Sequence, residues 1–399
     1  MIYVLTLLTI IIMVVRFDVQ GQRRYADAFY QILLVWFIAV SGFAFNVGAD
    51  IPGYMFEYDE YKWSKIQSLD DILEFRHRQP GWVIVSLLCK FFTSNFLLFK
   101  LVEAVFVNVV IFRFIKKYCS YKFTGVLFYA VMLYLNLNFN ALRQAYSLGF
   151  FLIGFDFLIE KKYVKYYIFV LLALMFHSSA AICLVFPFLQ VIKINSKSVI
   201  IGVAVIFVVA VFAKSVFMDL STNLALQLLS SDSSLMEEYG EMGNKFLGDD
   251  YVDGTERSLF GYVEMVLQLI FLVVMVLFNI KHSDNLPPII GTLTILYFAF
   301  YFLNAFIPVL FFRLMFYVQV FYFVSLATFC IDFFKVYFQN MRIASTIILI
   351  IFFCYTPIKA LYAENPRSGM TDLEQFYPYS SVIDKKISPA RAAEWGWHK

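Results

Sequence analysis

The chain has 399 residues and a net charge of +3; 61% are hydrophobic, only 15% are charged, and the mean hydropathy is +0.74. Soluble domains keep about 25% charged residues, so this composition excludes an ordinary soluble protein and specifies an all-α polytopic membrane protein. No basic stripe interleaved with aromatics points to nucleic acid, and no Walker loop or GxGxxG points to a nucleotide.

Runs of about 20 apolar residues suffice to cross a ~30 Å hydrocarbon core. In chain order the expected crossings are Met1–Val15, Phe29–Asn46, Phe96–Ile115, Phe123–Phe139, Leu142–Ile159, Val199–Phe217, Leu259–Ile280, Pro287–Phe306, Leu310–Cys330 and Ile343–Tyr362. Met1–Val15 lacks a basic flank and a small-residue cleavage site, so it is read as a helix rather than a signal peptide. Six connectors collect the basic residues: Arg16/Arg23/Arg24, Arg113/Lys116/Lys117/Lys122, Lys161/Lys162/Lys165, Lys193/Lys197, Lys281 and Lys335/Arg342. Short cytoplasmic loops are the ones that accumulate Lys and Arg, so all six are placed inside.

That placement decides two ambiguous segments. Val164–Gln190 has basic loops at both ends, so it must go out and return as two short helices turning near His177–Ser178–Ser179. Gly81–Phe92 separates an outer loop from a further crossing, so it is expected to be a re-entrant or interfacial helix. The total is about 12 transmembrane helices plus one partial helix, in a single membrane domain over 1–399 with both termini outside. No internal repeat of the kind that builds inverted transporter halves is seen.

The outside then holds a loop over 48–80, an acidic loop over 218–258 and a tail over 364–399. The first loop carries Leu69, Ile72, Leu73 and Phe75 at roughly helical spacing, which predicts an amphipathic helix on the membrane. The second carries nine acidic residues against Lys245 and Arg257. Its Asp249–Asp250 pair is too isolated to indicate a metal. The five cysteines (Cys89, Cys119, Cys183, Cys330, Cys354) stand singly, so neither a disulfide framework nor a metal site is expected.

Ionisable groups at membrane depth are expensive, and the few at the outer ends of helices are the candidates for function. Arg143, in Asn140-Ala-Leu-Arg143-Gln144, either snorkels to the interface or grips a phosphate bidentately, with Asn140 and Gln144 as neutral donors. His177 lies inside an apolar run, either as a satisfied core residue or as a base accepting a proton from a sugar hydroxyl. Arg313 has no acidic residue within a helical turn and either snorkels or binds an anion. Arg76, His77 and Arg78 meet lipid headgroups or a pyrophosphate, and Asp50 orients an arginine or a sugar hydroxyl. Most of the 48 Phe and 26 Tyr are too numerous for sugar stacking, though outer ones such as Tyr54, Tyr251 or Tyr377 have the right chemistry.

At these residues the chain resembles the EpsG/Wzy-type polysaccharide polymerases of bacterial inner membranes. The resembling pieces are V-G-x-D-x-x-x-Y (Val47, Gly48, Asp50, Tyr54), P-G-aromatic (Pro80, Gly81, Trp82), N-x-x-R-Q (Asn140, Arg143, Gln144), F-H-S-S-A (Phe176–Ala180) and R-x-x-x-Y (Arg313, Tyr317). Residues 195–300 and the tail do not discriminate. The family often has an acidic residue just before the P-G-aromatic step, where this chain has Gln79 after Arg78, so no carboxylate acts there.

The resemblance implies a GT-C-like glycosyltransferase architecture. It also implies polymerisation of O-antigen or capsular repeat units carried on undecaprenyl pyrophosphate, at the periplasmic face of the inner membrane. The growing glycan would pass to the non-reducing end of an incoming unit, with neither metal nor cofactor, beside a separate chain-length regulator and membrane lipid. On that reading Arg143, Arg313, Arg76 and Arg78 serve the pyrophosphate, His177 is the base, and Asp50 is a positioning residue or substitute base. Asn140, Gln144, Tyr54 and Tyr317 support them.

Three rivals differ in chemistry. A lipid-linked oligosaccharide flippase needs charges along a path through both leaflets, and only Lys100 and Glu103, explained as an i,i+3 pair, lie there. An O-antigen ligase shares the arginine-plus-histidine logic but accepts lipid A core. The arginine–histidine signature of a membrane O-acyltransferase is not seen.

Overall fold

The computed structural model describes residues 2–66, 68, 71–72, 78–192, 194–211, 259–283, 286–304, 308–337, 342–363, 371–387, 389 and 391–392. The described residues are almost entirely helical. In chain order they form α1 (Ile2–Met13), α2 (Ala26–Gly42), α3 (Ile51–Glu60), α4 (Pro80–Phe92), α5 (Phe96–Tyr118), α6 (Lys122–Met132), α7 (Leu142–Ile159) and α8 (Tyr163–Leu174). A 3₁₀ stretch, Ser178–Val185, leads into α9 (Phe186–Leu189), followed by α10 (Ser196–Val211), α11 (Leu259–His282) and α12 (Pro288–Leu303). The chain ends with α13 (Pro308–Tyr337), α14 (Arg342–Ala360) and the short α15 (Asp372–Phe376).

Two compact units result, Met1–Pro187 with Ala327–Lys399 and Phe188–Leu326. In the first, α7 packs on α8 and α5, and α5 packs on α2. In the second, α11 and α12 pack on each other. There Thr294 and Ser325 hydroxyls meet at 2.9 Å, and Asn279 Nδ2 donates to Ser325 O at 2.9 Å. Among the described residues, five helical spans are long and apolar enough to cross a membrane: Ile2–Val19, Leu142–Ile159, Gly261–His282, Leu310–Tyr337 and Ile343–Ala360.

The expected partial helix is α4. Its 13 residues rise about 20 Å at 1.5 Å each, short of a ~30 Å core. Pro80 at its first turn costs no hydrogen bond, because the first four N–H groups of a helix have no partner within it. The expected break within Val164–Gln190 is also present, since α8 stops at Leu174 and the 3₁₀ stretch starts at Ser178. The segment expected as a loop over 48–80 contains a helix at its start: Ile51, Tyr54, Glu57 and Tyr58 of the V-G-x-D-x-x-x-Y region form the buried face of α3. The amphipathic helix expected around Leu69–Phe75 lies mostly outside the described residues, as does the acidic loop over 218–258.

Two polar clamps hold α5. At its basic end Asp156 of α7 accepts from Tyr118 Oη at 2.6 Å and pairs with Arg113 at 2.5 Å and Lys117 at 2.9 Å. In its middle Lys100 pairs with Glu103 at 2.6 Å and donates to the carbonyl of Asn138. Asn138 sits in a π-helical turn, Asn136–Asn140, that follows α6. Its amide joins Asn108 at 2.7 Å and the Tyr129 hydroxyl at 3.0 Å. Charges this deeply buried are tolerated only when paired and hydrogen-bonded.

The tail is a strap over the segment that precedes α3. Gly48 N donates to Gln375 O, Phe45 N to Ser380 O and Val382 N to Phe43 O, each at 2.9 Å. Arg391 donates to Asn46 O at 2.7 Å and to Pro378 O at 2.5 Å. Gly48 has φ +106°, and a Cβ there would run into the carbonyl of Phe139, so this crossing of chain segments requires glycine.

Candidate functional site

The sequence motifs of the first unit converge at one place. Trp82, near the start of α4, lies under α3, its ring 4.9 Å from Tyr54 and 4.7 Å from Phe99. Gly81 allows α4 to meet the end of α8, where its N–H donates to Met175 O at 2.8 Å. A Cβ on Gly81 would strike that carbonyl and the Phe176 ring. Phe176 in turn stacks on Tyr146 of α7, centroids 5.0 Å apart. Such ring pairs contribute about 0.5–1.5 kcal/mol each beyond their burial, enough to make an aromatic bed for the polar groups above.

Arg143, in the first turn of α7, reaches over this bed. Its Nη1 donates to Gln79 Oε1 at 2.9 Å, and its guanidinium lies within hydrogen-bonding reach of the Tyr54 hydroxyl. Burial pushes the Tyr54 phenol up to about 12, with the nearby Asp50 carboxylate adding to the rise and Arg143 opposing it. Asp50 itself is exposed at the N-terminus of α3 and does not cap it. Arg78 pairs with Glu57 of α3. Burial alone would lower the Arg78 pKa, but the Glu57 hydrogen bond and charge win and raise it. Both arginines and Glu57 act electrostatically on the buried Tyr61.

The charge count is uneven. Arg78 has a carboxylate, whereas among the described residues Arg143 forms no ion pair and is held by a neutral amide and a neutral phenol. Arg143 Nε, Arg78 Nε and Glu57 Oε2 are buried without hydrogen-bond partners. Buried polar atoms left unsatisfied side by side mark this place as a candidate site for a polar ligand.

His177 caps the 3₁₀ stretch. Its Nδ1 accepts from Ser179 N at 3.2 Å and lies 2.6 Å from Ser179 Oγ. Gln144, the residue after Arg143, donates through Nε2 to the same hydroxyl at 3.4 Å. Gln144 therefore serves the histidine turn instead of adding a donor beside Arg143. Asn140 is likewise committed to the scaffold: Oδ1 accepts from Ala49 N at 2.8 Å, and Nδ2 donates to Gln375 Oε1 at 3.1 Å.

Arg313 and Tyr317 belong to the second unit, four residues apart on α13, the first exposed and the second fully buried. Arg76 lies outside the described residues. Gln79, Glu57, Ser179 and Gln375 are missing from the sequence-based site. Glu57 had a legible signal, since it lies three residues beyond Tyr54 on one helical face. Among the described residues no group of three or more His, Cys, Asp or Glu is placed to hold a metal ion, and all five cysteines are buried and free.

A family model, described as the EpsG family, matches residues 27–381, which takes in every element of this site. No curated protein and no solved structure matches the chain significantly.

Proposed function

The chain belongs to the EpsG family, which includes Wzy-type polysaccharide polymerases, and from that premise we propose that it polymerises oligosaccharide repeat units carried on undecaprenyl pyrophosphate. The reaction takes place at the periplasmic face of a bacterial inner membrane, in a GT-C-like array of about 12 crossings. The observation that carries this reading is the Arg143 guanidinium, held by the neutral Gln79 and Tyr54 beside the Arg78–Glu57 pair.

A glycosyl pyrophosphate brings its own leaving group, so the protein has to stabilise the charge that develops on it and align an acceptor hydroxyl. Arg143 faces the pyrophosphate, with Arg78 as its neighbour and Arg76 as a further contact. Tyr54 orients Arg143. Asp50, exposed beside Tyr54, positions the acceptor sugar. Guanidinium groups supply the charge that a metal supplies elsewhere, so neither a metal nor a nucleotide sugar is required. A chain-length regulator is the protein partner that the family resemblance implies.

The test is a gel of lipid-linked glycan from source cells lacking this gene, complemented with wild type or Arg143→Ala. A ladder restored by wild type and collapsed to a single repeat unit by Arg143→Ala, at equal membrane protein level, is the expected result. A loss of one preorganised charge contact commonly costs ~10²–10³ in rate. Full-length polymer from Arg143→Ala would remove the assignment. Units trapped on the cytoplasmic leaflet in the deletion strain would mean a flippase. Polymer made but left on its lipid would mean a ligase.

A further inference from the structure

At the far end of α5 from Trp82, the first unit holds an open cavity of about 650 Å³. Phe99, which meets Trp82, and Lys116, which lines the cavity, stand about 26 Å apart along α5 at 1.5 Å per residue. The cavity is therefore separate from the arginine site and belongs to the opposite ends of the helices. Its walls are the π-helical turn Val14–Val19 that follows α1, the connector from there to α2, the turn between α5 and α6, and the facing ends of α13 and α14. These are three of the basic connectors that their charge assigns to the inside.

The charges at the cavity are unequal. Lys116 and Lys122 converge on one carboxylate, Asp27, at 3.1 and 2.6 Å. Arg23 and Lys335 are exposed at its edge, and Arg16 joins them through Gln22, whose Oε1 accepts from Arg16 Nε at 2.9 Å. The carboxylates are fewer and already engaged. Asp18 accepts from the N–H and hydroxyl of Thr124 at 2.7 and 2.9 Å, so its charge serves the N-terminus of α6. Asp332, next to Ile331 in the wall, accepts from the Tyr121 hydroxyl and lies 4.0 Å from Lys335. Among the described residues, five cations thus stand against three carboxylates.

We propose that this cavity binds the phosphodiester headgroup of an anionic phospholipid from the inner leaflet, with Lys116, Lys122 and Arg23 on its phosphate oxygens. Each lysine ammonium has three N–H donors, more than Asp27 can use. Asp27 is exposed, and ion pairs on an exposed carboxylate are weak, so a phosphate competes with it readily. Lys122 is held in place by its stem, with Nζ 5.1 Å from the centre of the Tyr30 ring and 5.6 Å from that of Phe123. The volume falls within the range of small-molecule sites, which suits a phosphoglycerol group. The surroundings favour a lipid over a free anion: Phe17 and Phe123 line the cavity, and Lys335 is followed by the exposed Val336 and Tyr337, an apolar surface for acyl chains. Basic pockets between helices on the cytoplasmic side of a membrane are where anionic headgroups bind.

The full-length protein in detergent, titrated with short-chain phosphatidylglycerol, should retain the lipid in native mass spectrometry and melt at a higher temperature. Phosphatidylcholine should do neither. Lys116→Gln with Lys122→Gln should weaken phosphatidylglycerol binding about thirtyfold, from about fivefold per basic group at an anionic lipid surface. Lys162→Gln with Lys165→Gln removes the same charge from a connector outside the cavity and should leave binding unchanged. Equal losses from the two pairs would overturn the site, because basic loops in general would then attract the lipid. Undiminished binding by the Lys116/Lys122 variant would overturn it as well. Glycerol phosphate that binds as tightly as the lipid would overturn the lipid assignment and make the ligand a soluble phosphate. Should the Lys116/Lys122 variant fail to fold, Arg23→Gln in the same titration decides: a loss of about fivefold is expected, and no loss would overturn the proposal.

Discussion

Arg143 and Gln79 show how one neutral contact governs the chemistry of a charge. A carboxylate at position 79 would hold the guanidinium in the same place, and the amide oxygen does so at 2.9 Å without cancelling it. A carboxylate there would pair with the guanidinium and withdraw its charge from the pyrophosphate, so Gln79→Glu should lower polymer formation, and Gln79→Leu should lower the rate about tenfold, the equivalent of one hydrogen bond of about 1.4 kcal/mol. Initial rates on lipid-linked units in liposomes check both, and an active Gln79→Leu would mean that Tyr54 alone fixes Arg143. At this scale the sequence was legible for Arg143, His177 and Asp50, whose charge or ring stands out in apolar surroundings. Gln79 stood out only as a departure from the family pattern, because an amide gives no signal of what it accepts from. The scaffold bonds of Asn140 and Gln144, to Ala49, Gln375 and Ser179, were hidden for the same reason.

Among the elements, the π turn Asn136–Asn140 decides where α7 begins, and so where Arg143 points. A π turn leaves its carbonyls poorly paired within the helix, and Lys100 reaches from α5 to take that of Asn138. Glu103 then balances the lysine at 2.6 Å in a fully buried place. Breaking a buried pair leaves an uncompensated charge and costs about 3–5 kcal/mol, whereas replacing both partners by apolar side chains is often close to neutral. Lys100→Met alone should thus sharply lower the thermal stability of the detergent-purified protein, and Lys100→Met with Glu103→Leu should recover most of it. The double variant should still lose activity, because the Asn138 carbonyl is no longer held. Recovery of both would show that the turn holds without Lys100. The i,i+3 pair was readable from spacing, and the break before His177 followed from loop charge alone. The link from Lys100 to Asn138 was not, since it ends on a main-chain carbonyl 38 residues away, to which no side-chain pattern refers.

Over the whole of the first unit, the site depends on a segment with no visible signature in sequence. The tail has no apolar period and pairs with residues 235 to 345 positions earlier, so only the fold reveals that it belongs to the site. Gln375 supplies two contacts: its carbonyl takes the N–H of Gly48, and its side chain takes the amide of Asn140. Arg391, almost fully buried, ties Asn46 to Pro378. Together they fix the 44–50 segment from which α3 starts, and α3 carries Asp50, Tyr54 and Glu57. A chain ending at residue 370 should therefore insert into the membrane with its helices intact, since α1 to α14 precede the cut, yet give no ladder on a glycan gel. Arg391→Ala should give a shortened or faint ladder, because it removes two of several ties. Added in trans, a peptide spanning 371–399 would have to meet the entropy of association that the intact chain avoids, so little rescue is expected. A full ladder from the truncated chain, at wild-type membrane level, would mean that α3 holds its position on the aromatic bed of Trp82 and Phe99 alone and that the strap serves another purpose.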